Sequence, residues 1–519
     1  MRLHDYFDYF ARQSPAAPFL ECGGLEFSYG QGQARVHRIA NRLLDAGLKT
    51  GDRIAVLSKN SAEYPILFLA CSKAGVVIVP LNYRLAPPEI EYIINDANAR
   101  MVLAAGEFLS AVDAVRENFV QADTFVALDG DAPPGWSALE SWIADGSETE
   151  PPVDIQETDA VYQMYTSGTT GRPKGAILTH RAVTAQLAQI QVIFPPDASE
   201  KYLVVAPLYH AAAAITSFGG IAAGASLVIH SDFDPVAVVH ALSDGGVARV
   251  TLVPAMIQAC LLMVPDVAER SYSELRCITY GASPIAEQVL RRAIEVFGCD
   301  FAQGYGMTET TALLTYLQPE DHRRALASQP GLLLSAGRPL PGTVVRIVDG
   351  NDKEVPRGEV GEIIGYGPQL MQGYWNLAEA SEQALAGGWM HTGDAGIMDE
   401  EGFLFIQDRV KDMIVSGGEN VYPREIEEVL FQHPAVADAA VIGVPDDKWG
   451  ESAKAIIVLK GGESAKAEEI IEFCNGRLAG YKRPRSVDFI EELPRNPSGK
   501  VLKKDLREKY WQGHTRRVS

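Results

Sequence analysis

The segment Tyr165-Thr166-Ser167-Gly168-Thr169-Thr170-Gly171-Arg172-Pro173-Lys174-Gly175 concentrates groups suited to a phosphate chain. Its glycines let backbone N–H groups approach phosphate oxygens closely. The hydroxyls of Thr166, Ser167, Thr169 and Thr170 add donors, Lys174 adds a cation, and Pro173 stiffens the turn. The pattern is not a Walker A loop, because Lys174 is followed by Gly175 rather than by Ser or Thr. A second segment, Gln303-Gly304-Tyr305-Gly306-Met307-Thr308-Glu309-Thr310, sets an aromatic ring between two glycines. Tyr305 can stack on adenine while Gly304 and Gly306 permit close backbone approach. Thr308 can donate to an α-phosphate, and Glu309 is a hard oxygen ligand suited to Mg²⁺ carried on phosphates.

These residues need a scaffold that holds loops at strand ends. Ala160–Met164 reads as a strand running into the first segment, and strand ends are where open α/β sheets bind ligands. Upstream, Ile54–Leu57 reads as a strand, Ser61 as the cap of a helix from Glu63 to Ala74, Gly75 as its stop, and 76–80 as a buried strand. The same texture returns at 201–206, 225–230, 249–253 and 276–280 and predicts parallel α/β layering. Residues 331–373, rich in Gly and Pro and alternating in β-formers, predict a small antiparallel or barrel-like unit. Beyond Arg409 the texture changes: Pro423 opens a helix over 424–431, strands follow at 439–444 and 453–459, and a helix at 467–478. The fold class is therefore α/β. A large N-terminal domain of stacked α/β subdomains plus a β-barrel-like unit spans 1–408, and a small α+β C-terminal domain spans 409–519.

The 519 residues exceed what one core supports, so two or more domains are expected. Net charge is −21, which disfavours nucleic acid and anionic lipid as partners. From Arg409 onward 19 Lys and Arg stand against 18 Asp and Glu, a near-neutral tail on an acidic body. The six cysteines are scattered with no metal-ligand spacing and no disulfide framework, which fits a reducing compartment. The N-terminus has no signal-peptide h-region, no apolar run is long enough to span a bilayer, and the last residues are no peroxisomal address. A cytoplasmic protein without an integral membrane segment is expected.

Further blocks follow in order: Pro207-Leu208-Tyr209-His210, Tyr280-Gly281-Ala282-Ser283, Trp389-Met390-His391-Thr392-Gly393-Asp394, Gln407-Asp408-Arg409-Val410-Lys411-Asp412, Ser416-Gly417-Gly418-Glu419-Asn420 and Asn496-Pro497-Ser498-Gly499-Lys500. Taken singly, His210 reads as a buried structural imidazole, Asp394 as a turn residue and Lys500 as a surface lysine. In series, from about Leu25 to Lys504, the blocks resemble the adenylate-forming superfamily of acyl-CoA synthetases, peptide-synthetase adenylation domains and firefly-type luciferases.

The resemblance implies an AMP-forming carboxylate–CoA ligase using ATP, Mg²⁺ and coenzyme A. A carboxylic acid becomes an acyl-adenylate with release of pyrophosphate, and a thiol then takes the acyl group and AMP leaves. ATP and AMP would lie on Thr166, Ser167, Gly168, Thr169, Thr170, Gly171 and Lys174, with Gly281, Ala282, Ser283, Gln303, Gly304, Tyr305, Gly306, Met307 and Thr308 along the base and α-phosphate. Asp394 and Arg409 would take the ribose. Glu309, with Thr166, would hold the metal. Catalysis would fall to Lys500, Lys174, His210, Glu309 and Thr166. The acid would lie along Tyr209, His210, Val253, Gly281, Gly304, Thr311 and Ala312, and at the adenine Gly281 would leave room for the flat ring. Lys411 would be the pivot of a mobile C-terminal domain whose Ser416, Gly417 and Gly418 line the CoA tunnel. The Ala-rich wall after His210 favours a fatty or an aryl acid over an amino acid. Transfer to a carrier-protein thiol and a non-catalytic nucleotide sensor are the alternative readings, and assembly as a homodimer is left open.

Overall fold

The computed structural model describes residues 1–166, 172–193, 195, 197–283, 285–409, 412–416, 419–446, 448–495 and 501–512, with Arg409, Glu419 and Asn420 described for backbone alone. Arg53–Leu57 and Val77–Leu81 pair in parallel, Ile54 against Ile78 and Leu57 against Leu81, as the strand–helix–strand pattern predicts. They belong to an eight-stranded sheet ordered Gly373–Tyr374, Lys174–Thr179, Ala160–Thr166, Val77–Leu81, Arg53–Leu57, Ala99–Ala104, Thr124–Ala127, Ser137–Ala138. The connecting helix Glu63–Ala74 is buried along its whole length from Tyr64 onward. Its apolar residues therefore run all round it rather than along a stripe. Gly75, at φ 72, ends it in the left-handed conformation. Ser61 does not cap it: the N-cap is Ala62, and the Ser61 carbonyl takes the Tyr64 N–H at 3.2 Å.

A nine-stranded sheet includes Arg338–Pro339, Thr315–Leu317, Asp300–Tyr305, Cys277–Gly281, Arg249–Leu252, Lys201–Val204 and Ser226–Ile229, then Pro18–Cys22 and Leu25–Ser28. Helices of the two sheets share one core, in which Phe68 meets Phe218 edge-on with centroids 5.1 Å apart. Lys73 enters this core with its ammonium paired to Asp8 at 2.6 Å and to Glu150 at 3.4 Å. An unpaired charge there would be too costly to bury.

Both sheets turn antiparallel where the chemistry-bearing segments lie. Ala160–Thr166 and Lys174–Thr179 form a hairpin, and Asp300–Tyr305 pairs antiparallel with Thr315–Leu317. The phosphate-type segment is thus bracketed by two antiparallel strands.

The small antiparallel unit begins within 331–373, with Val344–Val348 and Gly361–Tyr366, and is completed by Met390–Met398 and Leu404–Arg409. Beyond it, Val436–Asp446 and Gly450–Leu459 form a long hairpin flanked by helix Pro423–Leu430, with Pro423 at its first turn. Helix Ala467–Phe473 stops five residues short of the expected Leu478, because Asn475 and the left-handed Gly476 (φ 74) follow. The apolar clusters divide in the same place. Two draw only on residues from Ile414 onward, and the other five only on residues up to Ile406. A large N-terminal and a smaller C-terminal domain result.

Candidate active site

Thr166 and Lys174 face one another as register partners at the connected end of their hairpin. The connection they bracket, with Ser167, Gly168, Thr169, Thr170 and Gly171, lies outside the described residues. Lys174 Nζ sits 4.9 Å from the ring centre of Tyr374. The Tyr374 hydroxyl in turn donates to Glu309 Oε1 at 2.7 Å. Glu309 is 4% exposed, on the single 3₁₀ turn Thr308–Thr310. The segment carrying Tyr374 is tied on both sides: Met371 N–H donates to the Glu309 carbonyl at 2.8 Å, Gln372 N–H to Ile177 at 2.9 Å and Trp375 N–H to Gly175 at 2.8 Å. A cation, a phenol and a buried carboxylate are thereby held in one line. No motif in the sequence points to Tyr374. Its place depends on an antiparallel pairing with Lys174–Thr179 that no local pattern announces.

The second aromatic, Tyr305, ends its strand and donates its hydroxyl to Asp394 Oδ2 at 2.8 Å. Asp394 is the backbone register partner of Arg409, which is described for backbone alone. Beside them Glu362 accepts from the Gly393 N–H at 3.0 Å and lies 3.2 Å from His391 Nδ1. Glu362 and His391 line the same cavity as the motif residues and were not anticipated as site residues.

Two of the glycines are required by the backbone packing itself. A Cβ on Gly281 would come within 2.3 Å of the Gly304 carbonyl, its partner on the neighbouring strand, and one on Gly306 within 2.3 Å of the Ala312 carbonyl. They allow protein backbone to close on itself, and Gly281 and Gly306 also line the cavity. Ala282 (φ 64), Thr311 (φ 54) and Ala312 (φ 94) hold left-handed conformations here. Such strain in non-glycine residues gathers where surrounding structure over-determines the backbone, often at binding sites.

One cavity of about 650 Å³ is lined by Thr166, Lys174, His210, Val253, Gly281, Ala282, Gly304, Gly306, Met307, Thr308, Glu309 and Ala312, together with Tyr374, Glu362 and His391. The hairpin, the 3₁₀ turn and the adenine-type turn, far apart in sequence, therefore open into one space. His210 stands at the N-terminus of helix Ala211–Ala223, and its Nε2 has no partner among the described residues. Burial pushes its imidazole down to about 4, so it is neutral at physiological pH.

Two acyl-pocket expectations need correction. Thr311 is fully buried and gives its hydroxyl to the Gln369 carbonyl at 2.6 Å, so it faces away from the cavity. Tyr209 packs behind His210, ring centres 4.4 Å apart, with its other edge on Tyr83. Ser283, Gln303, Tyr305 and Asp394 are not among the residues that line the cavity. Ser416 is buried at the end of strand Ile414–Ser416. Lys411, Gly417, Gly418 and Lys500 lie outside the described residues.

The model of AMP-binding enzymes matches residues 7–375, and that of the AMP-binding enzyme C-terminal domain matches 425–500. The chain belongs to this family, the adenylate-forming acyl-CoA synthetase superfamily. Among its relatives are a feruloyl-CoA synthase of Amycolatopsis sp, 39% identical over 96% of this chain and 97% of that protein, and a fatty acid–[acyl-carrier-protein] ligase, ScoC, of Streptomyces coeruleorubidus, 37% identical over 98% and 96%. The crystal structure of ATP-bound MatB from Rhodopseudomonas palustris superposes with a TM-score of 0.89 at 30% identity, over 99% of this chain and 100% of that one.

Proposed function

We infer that this chain is an AMP-forming carboxylate–CoA ligase acting on a fatty or aromatic acid. The observation that carries the reading is the single cavity joining the Thr166–Lys174 hairpin to the Tyr374–Glu309 pair and to the pocket beyond His210. The carboxylate oxygen attacks the α-phosphorus of ATP, the bond to the β-phosphate oxygen breaks, and pyrophosphate leaves. Charge builds on phosphoryl oxygens, so the protein contributes position and fixed charge. Lys174 faces that charge directly. Tyr305 stacks on the purine while its hydroxyl orients Asp394 towards the ribose. His210, neutral, stands between phosphate and acyl ends without adding a charge there. Thr308 donates to the α-phosphate.

Glu309 and Thr166 offer a carboxylate and a hydroxyl in the same cleft, the hard oxygens that Mg²⁺ takes alongside phosphate oxygens. The residues fit the ion, which when bound neutralises phosphate charge. Tyr374 and the Met371 N–H fix the turn on which Glu309 rides.

The second half-reaction needs a thiol to reach the acyl carbon. We assign residues 1–408 to holding ATP and acid, and 409–519 to a unit that turns about Lys411. That unit first presents Lys500 to the adenylate and then the Ser416–Gly418 loop to coenzyme A. The separate apolar clusters either side of 406–414 support this division. All six cysteines are free thiols, which supports a reducing, cytoplasmic setting. Among the described residues no helix is long and apolar enough to cross a membrane.

A carrier-protein thiol as acceptor is the second reading, favoured by the similarity to the ScoC carrier-protein ligase. Acid-dependent exchange of pyrophosphate into ATP, followed by thiol-dependent release of AMP, tests both. Release driven by CoA supports the ligase reading. Release driven only by a phosphopantetheinyl carrier protein selects the second, and absence of exchange across aliphatic and aryl acids removes both.

A further inference from the structure

Away from its nucleotide end the cavity changes character. Thr251 and Thr279 are register partners on adjacent parallel strands, two residues before Val253 and Gly281 respectively. Two residues along a strand place them about 7 Å deeper. Helix Ala211–Ala223 brings Thr216 to the same level, its hydroxyl 3.0 Å from that of Thr251. On the other side the Tyr316 hydroxyl lies 3.5 Å from that of Thr279. All four line the cavity, and form a belt of hydroxyls across an otherwise Ala-, Val- and Leu-rich space.

Thr216 is placed to give its proton to the Ala212 carbonyl at 2.8 Å, and in its contact with Thr251 either hydroxyl can be the donor. A threonine hydroxyl has one proton to give and two lone pairs to offer, so the pair offers more acceptor sites than donors. A ligand hydroxyl, which can both donate and accept, is matched at this pair whichever way the protons lie. An ether oxygen can only accept, and a bare C–H edge does neither.

The deeper wall is polar as well. Tyr202 and Arg249 line it, and the guanidinium is drawn onto the buried Glu200, Nε to Oε2 at 2.5 Å. A long alkyl chain would run its tail past the hydroxyls and against this ion pair, covering polar groups with no hydrogen bond in return.

We propose, resting on the ligase reading, that the preferred acid is an aryl acid carrying a hydrogen-bond donor opposite its carboxylate, a phenol. Its hydroxyl hydrogen-bonds to the Thr251–Thr216 pair while its carboxylate stands level with Gly281. One aromatic ring spans the interval between that level and the belt. Thr251 and Thr216 are then specificity-determining residues, and ether-capped, unsubstituted and long-chain acids are poorer substrates.

The test uses the full chain and two matched trios: 4-hydroxycinnamate, cinnamate and 4-methoxycinnamate, and the corresponding benzoates. Binding is measured by calorimetry without nucleotide, and kcat/KM by thioester formation. The hydroxy acid of at least one trio is expected to bind roughly ten- to hundredfold more tightly than both its analogues. Thr251→Val should bring that ratio towards unity, and Thr251→Ser, which restores a hydroxyl, should keep it. Thr216→Val is the second variant if Thr251→Val does not fold. Equal binding within both trios, a methoxy acid binding as well as the phenol, or a ratio unchanged in the valine variants overturns the proposal. If the binding order holds and no acid supports pyrophosphate exchange, the specificity stands and the ligase reading falls. If all acids support exchange at equal kcat/KM, the ligase reading stands and the specificity falls.

Discussion

The Tyr374 hydroxyl donates to the buried Glu309 carboxylate at 2.7 Å, while the face of the same ring lies 4.9 Å from Lys174 Nζ. One phenol thus spaces the cation of the hairpin from the carboxylate proposed to hold Mg²⁺. Tyr374→Phe keeps the ring under Lys174 and removes only the donor. Outer partners of this kind typically cost about 10–100-fold in metal affinity or activity when lost. The variant should need about tenfold more Mg²⁺ for half-maximal pyrophosphate exchange, with the KM for acid little changed. An unchanged Mg²⁺ requirement would show that Tyr374 acts only in packing.

Tyr305 and Asp394 make a parallel case. A hydrogen bond to a charged group is worth about 1.5–3 kcal/mol. Tyr305→Phe retains stacking and loses orientation of the carboxylate, so the KM for ATP should rise about ten- to hundredfold with kcat nearly intact. Asp394→Ala, which removes the ribose acceptor itself, should raise it further. Equal effects on the KM for acid would place the pair elsewhere than at the nucleotide.

Burial also sets a pH response. His180 and His210 are both pushed down to about 4 by desolvation. In the unfolded chain each takes a proton near its ordinary value of about 6.5. Between those values the unfolded state binds more protons, so stability falls as pH drops from 6.5 towards 4 and is unaffected by these groups above 6.5. The urea midpoint should therefore be flat from pH 7.5 to 6.5 and decline below it. His180→Gln should shallow the decline, and an equally steep decline in that variant would assign it to other groups.

Much of this was legible in the sequence, for identifiable reasons. Helix Glu63–Ala74 and its Gly75 stop follow from local apolar content and one permissive residue, so they need no partner to be read. The order of the motif blocks survived because each is a short, composition-rich turn. Tyr374, Glu362 and His391 were missed because their meaning lies in pairings: a two-residue strand against Lys174–Thr179, and a carboxylate meeting a glycine N–H 31 residues away. Thr311 was misplaced for the complementary reason. It adjoins the site in sequence, but its left-handed backbone turns the hydroxyl onto Gln369.

The two half-reactions separate the proposed roles of Lys500 and Lys411. Lys500→Ala should lower adenylation about 10²–10³-fold, and should affect much less the transfer from a supplied acyl-AMP to CoA. Lys411→Pro, which fixes φ at the pivot, should do the reverse. Equal losses in both steps for either variant would contradict the domain rotation.

The central claim is that a carboxylate oxygen attacks the α-phosphorus of ATP. It is tested most directly by following ¹⁸O from a doubly labelled carboxylate through one turnover with CoA. One ¹⁸O atom in the released AMP, and none in pyrophosphate or inorganic phosphate, is the predicted result. Label appearing in inorganic phosphate with ADP as co-product would mean an acyl phosphate route, and would contradict the account.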